Sequence, residues 1–483
     1  MSIKNNFLFK QQCHIDGNWV NANSDETIDV VNPANGETLG SVPKLNKNEV
    51  KHAIQVAADA LPKWRAKTGK ERAAILRQWF NLCIKHQHEL AQLLTLEQGK
   101  PLTEALGEIA YGSSFIEWFA EEAKRIYGDM IPAHSNDRKI VVNKEAVGVV
   151  AAITPWNFPN AMITRKAAAA IAAGCTVIIK PASSTPFSAL ALAQLAQQAG
   201  LPDGVLNIVT GSARVVGGEL TENPIVRKLS FTGSTDVGKT LLKQCAQTVK
   251  KVSMELGGNA PFIVFEDADL DKAVAGVMAS KFRNTGQTCV CANRIFVHDK
   301  IYDEFSQRLA IMVSQQIVGN GLEPGVSIGP LVDMAAVEKV EQHIEDAIAK
   351  GAKIILGGQR HGLGGHFFQP TILANVSDDA RLMNEETFGP VAPLLRFTDE
   401  GDVVNKANDT EFGLASYFYT QDIGRIWRVS EALEYGIVGI NEGIISTELA
   451  PFGGIKESGI GREGSKYGID DYLEIKYLCM GGL

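Results

Sequence analysis

One thiol, two carboxyls and one amide stand out because each falls where a regular element gives way to a turn. Cys289 follows a predicted helix in Phe282-Arg-Asn-Thr-Gly-Gln-Thr-Cys-Val-Cys, and Gly286 allows a tight turn just before it. Glu255 closes the apolar run of Val252-Ser-Met-Glu-Leu-Gly-Gly-Asn-Ala-Pro. Asn157 belongs to Thr154-Pro-Trp-Asn-Phe-Pro, and Glu386 to Glu385-Glu-Thr-Phe-Gly-Pro. A thiolate attacks carbonyl carbon, an amide N–H stabilises the resulting oxyanion, and a carboxylate takes a proton from water. Each residue also has a plainer use: a buried free thiol, a salt-bridged strand end, a turn residue, a helix cap.

These residues need a frame. Residues 50–125 carry apolar positions at helical spacing, and 127–146 reads as a β-hairpin between helices. From 147 the pattern alternates. Strands are expected at 147–153, 176–179, 205–209, 228–231 and 251–255, with helices at 161–173, from the Thr185-Pro186 pair to Gly200, and after Ser234. Repeated βα units with short apolar strands predict a parallel sheet covered on both faces, a Rossmann-type domain. A second α/β set starts near 260, with a strand at 261–265, a helix from 269 to 283 and a strand at 294–297. Helices around 300–316 and 333–350 follow, then a strand at 353–356, and 472–478 reads as a last strand able to pair with the hairpin. The expected division is 1–126 with 147–257 for one α/β domain, 258–457 for the second, and 127–146 with 470–483 as a small β element.

Bulk properties narrow the chemistry. At 483 residues the chain exceeds a single core, and 45% hydrophobic with 21% charged residues is ordinary globular composition. A formal charge of −8 argues against a nucleic-acid partner, which needs clustered Lys and Arg. The N-terminal segment has no long apolar core of a secretory signal, and the weakly apolar stretch 167–179 is too short and alanine-rich to span a bilayer. A cytoplasmic location is the expectation. Seven cysteines at irregular spacing fit a reducing compartment. The nine histidines are scattered with no HExxH, so no metal is expected, and no GxSxG serine motif is present.

Taken together and in this order, the four segments resemble the aldehyde dehydrogenase superfamily over nearly the whole chain. The resemblance implies that Cys289 is the nucleophile, that Glu255 activates water to hydrolyse a thioester, and that the Asn157 amide with the Cys289 N–H forms the oxyanion hole. Cys289 follows Glu255 by 34 residues, a separation that suits the family. The dinucleotide fingerprint GxGxxG is missing after the first strand. Phe231-Thr-Gly-Ser-Thr-Asp-Val-Gly instead resembles the family's pyrophosphate turn at a helix N-terminus, with Gly233 and Ser234 as contacts. By the same resemblance Trp156, Lys180 and Leu256 match adenine-ribose and nicotinamide-side positions, and Glu386 matches the acid that holds the nicotinamide ribose.

Cofactor and substrate follow from finer matches. Many NAD-preferring relatives carry a glutamate where Ser183 stands, so serine beside Lys180 favours NADP, or use of both NADP and NAD. Thr164-Arg-Lys, the Arg283 segment and Ile445-Ser-Thr-Glu-Leu-Ala-Pro-Phe-Gly-Gly are similar to the succinate-semialdehyde dehydrogenase branch. There Arg165, Arg283 and Ser446 would bind a distal carboxylate. Glutarate semialdehyde, one methylene longer, is the near alternative; a neutral aldehyde and a non-catalytic use of the fold are the others. Cys291 is either a small core residue or, as in some members of that branch, a partner for a reversible Cys289–Cys291 disulfide. The resemblance also implies a homodimer or homotetramer.

Overall fold

The computed structural model describes residues 6–483 and contains two large sheets, each with helices packed against it. The first sheet has eight strands. Its five parallel strands stand side by side as Lys251–Glu255, Val226–Thr232, Val149–Ile153, Thr176–Lys180 and Leu206–Ile208. All residues of Thr176–Lys180, and four of five in Val149–Ile153, are buried, as a parallel sheet sandwiched by helices requires. Short antiparallel pieces close both edges: Gly459–Ile460 on Lys251–Glu255, and Cys13–Ile15 with Asn18–Val20 on Leu206–Ile208. The second sheet has seven strands, in the order Lys353–Leu356, Thr371–Ala374, Val391–Phe397, Ala292–His298, Ala260–Val264, Ala415–Tyr419 and Ile437–Ile440. All its pairings are parallel except that of Lys353–Leu356.

The expected small β element forms. Arg138–Ala146 pairs antiparallel with Asp129–Ile131 on one side and with Leu473–Gly481 on the other, over nine residue pairs with the latter. The helical stretch resolves into Lys47–Arg65, Gly69–Lys85, Gln87–Gln98 and Leu102–Glu122. Asn46 and Thr68 open the first two as capping boxes, with Glu49 and Glu71 answering in the first turn.

Several limits shift by one to three residues from the sequence reading, and two helices differ for a physical reason. The helix expected from Thr185-Pro186 begins at Phe187, and Thr185 donates no cap. Its first N–H groups are bonded instead by Glu97 from another helix, at 2.8 Å to both Phe187 and Ser188. The helix expected over 269–283 is α-helical only over Leu270–Val277, with Asp269 capping it, and widens into a π turn at Met278–Phe282. That turn leaves the Lys281 carbonyl free to accept the Cys291 thiol at 3.3 Å.

Candidate active site

The carboxyl ends of the first sheet's strands supply most of the expected residues. Val149–Ile153 has Thr176–Lys180 on one side and Val226–Thr232 on the other, so the chain's winding reverses there and a crevice opens at the strand ends. Trp156 and Asn157 leave the first of these strands, Lys180 ends the second, Gly233 and Ser234 follow the third, and Glu255 and Leu256 close Lys251–Glu255 and its exit.

Cys289 comes from the other sheet, on the turn between Phe282 and Ala292. Asn284, Thr285 and Gly286 adopt φ of 51°, 59° and 74°, three consecutive left-handed residues that reverse the chain. Only glycine takes that conformation freely, so the other two are held by outside bonds. The Asn284 N–H donates to Glu104 Oε2 at 2.8 Å, and its Oδ1 accepts from Gln98 Nε2 at 3.0 Å. Asn284 Nδ2 donates to the Asn157 and Gln287 carbonyls at 3.0 and 3.1 Å. Thr285 Oγ1 donates to the Gly329 carbonyl at 3.1 Å. Gly258 lies so close that a Cβ on it would overlap the Cys289 carbonyl oxygen.

Asn157 meets this turn directly. Its buried Nδ2 donates to the Gln287 carbonyl at 3.0 Å, two residues before the thiol, which leaves the amide a second N–H. Cys289 itself is partly exposed, and burial pushes the thiol up to about 12, with Arg165 pulling the other way and Glu386 and Glu255 adding to the rise. Cys291 is buried, its thiol donating to the Lys281 carbonyl, and both cysteines are free thiols.

Glu255 is buried, and neither carboxyl oxygen has a hydrogen-bond partner. Burial and the neighbouring Glu463 raise its pKa well above the usual carboxylate range, against Arg165 and Lys166. A Cβ on Gly453 would stand 2.9 Å from Oε1, so glycine is what leaves room for the carboxyl. Glu463 escaped the sequence reading. It forms ion pairs with both Arg165 and Lys166, all three side chains fully buried. An Arg-Lys pair on the otherwise apolar helix Ala161–Ala173 does signal that some carboxylate must answer it, but not which one.

On the other flank, Lys180 is buried with no carboxylate beside it; its Nζ donates only to the Pro181 carbonyl at 3.1 Å, and burial lowers its pKa to about 8. Ser183 is exposed nearby in sequence. Ser234 caps Thr235–Cys245 without using its hydroxyl, whereas the Gly233 N–H is taken by the Glu255 carbonyl at 3.0 Å. Leu256 packs where a Cβ on Gly238 would stand. Trp156 meets Phe388 edge to face, with centroids 5.6 Å apart, which joins the Asn157 loop to the Glu386 segment. Glu386 Oε1 accepts the Gly258 N–H at 3.2 Å, and burial raises its carboxyl to about 7.

The two arginines differ. Arg165 pairs with Glu463 and lies 4.5 Å over the Phe452 ring, leaving Nη1 and Nη2 without hydrogen-bond partners. Arg283 is half-buried over Phe158 at 5.4 Å and forms no ion pair among the described residues. Ser446 is half-buried in the loop that leads to Phe452. Among the described residues no cluster of three or more His, Cys, Asp or Glu side chains is placed to hold a metal, and no helix is long and apolar enough to cross a membrane.

The Cys289 turn, from one α/β sheet, thus meets the Asn157 amide from the switch point of the other, with the buried Glu255 at the end of a further strand of that same sheet. The aldehyde dehydrogenase family model matches residues 19–478, and the chain belongs to that family. It is 66% identical over 481 residues to the NADP(+) succinate-semialdehyde dehydrogenase GabD of Escherichia coli K12, covering 100% of both chains. It is 63% identical over 483 residues to the glutarate-semialdehyde dehydrogenase of Pseudomonas aeruginosa, again covering 100% of both. The crystal structure of succinate-semialdehyde dehydrogenase from Burkholderia pseudomallei superposes with a TM-score of 0.99 at 61% identity, covering 100% of each chain. The Rossmann-type sheet, the second α/β unit and the small β element expected from the sequence are thus those of the family.

Proposed function

We propose that this aldehyde dehydrogenase oxidises succinate semialdehyde to succinate with NADP as hydride acceptor. The observation that carries the substrate is Arg283: a half-buried guanidinium, six residues before Cys289, that forms no ion pair among the described residues; Glu104, the carboxyl near enough to act on it, is engaged by the Asn284 N–H. A cation held there without a direct carboxylate contact suits a substrate whose far end is an anion. The activities named for the E. coli and P. aeruginosa relatives both concern semialdehydes of that kind. Glutarate semialdehyde is the second reading, since one methylene changes binding by only ~1–3 kcal/mol.

Cys289 gives up its thiol proton to solvent and, as thiolate, attacks the aldehyde carbon and forms a C–S bond. The Asn157 amide and the Cys289 N–H stabilise the oxyanion. Arg283, with Ser446 and the free Nη groups of Arg165, holds the distal carboxylate. Loss of the substrate hydrogen as hydride leaves a thioester on Cys289. Glu255 then takes a proton from water, the hydroxide adds to the thioester, and the C–S bond breaks to release the acid. Bound NADP supplies the acceptor for the hydride. The residues present fit it: Lys180 is a buried ammonium in need of an anion, the helix after Ser234 offers an open N-terminus, and no carboxylate occupies position 183. Trp156, Leu256, Gly233 and Glu386 complete that side, Gly233 by its small size because its N–H is engaged.

Arg283→Ala is expected to lower kcat/KM for succinate semialdehyde by roughly ten- to hundredfold, the loss of a charge-assisted pair of ~1.5–3 kcal/mol. Butanal, which lacks a carboxylate, should be oxidised almost as before. Equal losses on both substrates in a steady-state absorbance assay would make Arg283 structural and sink the substrate assignment. Ser183→Glu should raise the KM for NADP far more than that for NAD, because a carboxylate repels the 2′-phosphate. Parallel changes in the two KM values would remove Ser183 from the ribose site.

The same reading gives 1–126 with 147–257 to cofactor binding, 258–457 to catalysis, and 127–146 with 470–483 to joining subunits of a cytoplasmic homodimer or homotetramer. Met130, Ile475 and Tyr477, exposed at 76%, 72% and 59% on the three-stranded sheet, support the subunit contact. A reversible Cys289–Cys291 bridge requires the Cys291 thiol to give up its bond to Lys281.

A further inference from the structure

We propose that Lys100 and Glu108 are positioning residues for the oxyanion donor: together they clamp the loop that carries Asn157, and Lys100 fixes Asn157 through its backbone carbonyl. This rests on the reading of Asn157 as the oxyanion donor.

The pair is fully buried, with 1% and 0% of the side chains exposed, and Lys100 Nζ lies 2.6 Å from Glu108 Oε2. Each member has a second task in the Asn157 loop. Lys100 Nζ donates to the Asn157 carbonyl at 2.8 Å and stands 3.7 Å from the Phe158 ring centroid. Its three N–H directions are therefore answered by a carboxylate, a carbonyl and an aromatic face. Glu108 Oε1 accepts from the Asn160 and Ala161 N–H groups at 2.9 and 3.2 Å, and so caps the helix that carries Arg165 and Lys166. Residues 157–161 are held at both ends by one ion pair.

The carrier of Lys100 is equally fixed. Gly99 ends the helix Gln87–Gln98 in a left-handed conformation with φ of 96°, and added Cβ atoms on Gly321 or Gly329 would overlap the Lys100 and Gly99 carbonyl oxygens. The Asn157 carbonyl thus receives Lys100 Nζ and Asn284 Nδ2, while its side-chain amide reaches Gln287 beside the nucleophile. Stability alone is a poor reason for such a pair, because an apolar pair of similar volume often does as well or better. Orientation is a better one. A displacement of about 1 Å in a catalytic donor can cost 10²-fold in rate.

The test is Lys100→Met/Glu108→Gln. Methionine fills the lysine's volume without its N–H groups, and glutamine can still accept from Asn160 and Ala161. We expect kcat for succinate semialdehyde to fall roughly ten- to hundredfold, with KM and NADP affinity within about twofold and a cooperative melt. In an Asn157→Ala background the same pair of changes should cost almost nothing further, because the donor it positions is already gone. Full kcat in the double variant overturns the inference, and so does a loss that adds in full to that of Asn157→Ala. Should Asn157→Ala keep full kcat, the oxyanion reading fails and takes this inference with it. Lys100→Gln/Glu108→Gln, able to bridge by neutral hydrogen bonds, is the second pair. If neither pair folds, the ion pair is structural and the inference is wrong.

Discussion

Cys289→Ala is expected to lose aldehyde oxidation by at least about a thousandfold while binding NADP almost as tightly as the parent. No other group can replace the thiol: it must attack, hold the acyl group through hydride loss, and then leave. Cys291, two residues on, is buried and bonded to Lys281, so it cannot take over without rebuilding the turn. The residues proposed for the cofactor side, Lys180, Ser234 and Glu386, make their hydrogen bonds and caps away from the sulfur. NADPH absorbance reads the first expectation and fluorescence titration of NADP reads the second. Normal turnover by the variant would end the assignment. Weakened cofactor binding with residual turnover would show instead that the turn had collapsed.

Glu255→Gln should separate the two halves of the reaction. Thioester formation needs no base at Glu255, whereas hydrolysis does, so rapid mixing should give a burst of about one NADPH per active site followed by slow turnover. Removing a general base costs about 10²–10⁴-fold, and the steady-state rate should fall by that much. The sign of the pH dependence follows from the burial. Burial and the nearby Glu463 raise the Glu255 pKa well above the ordinary carboxylate range, and only the ionised carboxylate accepts water's proton. The parent's kcat should therefore rise with pH above that range, and this limb should vanish in Glu255→Gln. A variant that shows neither burst nor altered pH profile is incompatible with Glu255 as the base.

What could be read from the chain was local. The helix Ala161–Ala173 and the strand Lys353–Leu356 have the expected limits, because glycine ends one and an apolar run sets the other. Cys13–Ile15 went unread: it is three residues long, forms a tight hairpin with the equally short Asn18–Val20, and joins the sheet through the single pair His14 with Ile208. Strands such as Val391–Phe397 and Ala415–Tyr419 also went unread, although Gly389-Pro390 precedes the first, because a short continuous apolar run does not by itself separate a buried strand from a buried helix. In the site, Cys289, Glu255, Asn157 and Glu386 lie in compact segments whose glycines, prolines and aromatics mark the chemistry. Glu463, Lys100 and Glu108 lie in no such segment. Glu463 acquires its place from Lys166, 297 residues away in sequence, and Lys100 from Asn157, 57 residues away. A buried charge is explained by its partner, and the partner here is set by tertiary structure.

The left-handed turn before Cys289 has a consequence for when the enzyme becomes an enzyme. Thr285, being β-branched, opposes a φ of 59°, and Asn284 tolerates 51° better than most side chains without selecting it. The bonds that impose it come from Gln98, Glu104 and Gly329, separated from the turn by 186, 180 and 44 residues. Those partners lie in the helices Gln87–Gln98 and Leu102–Glu122 and in the loop ahead of Met334–Ala349, so two long loop closures, spanning 186 and 180 residues, precede the final orientation of the thiol. A fragment spanning the second sheet alone would keep the cysteine but not the reactive geometry. On the proposed assignment, catalytic competence is in this sense a late product of folding, reached only when Cys289 gains the orientation that these distant partners impose.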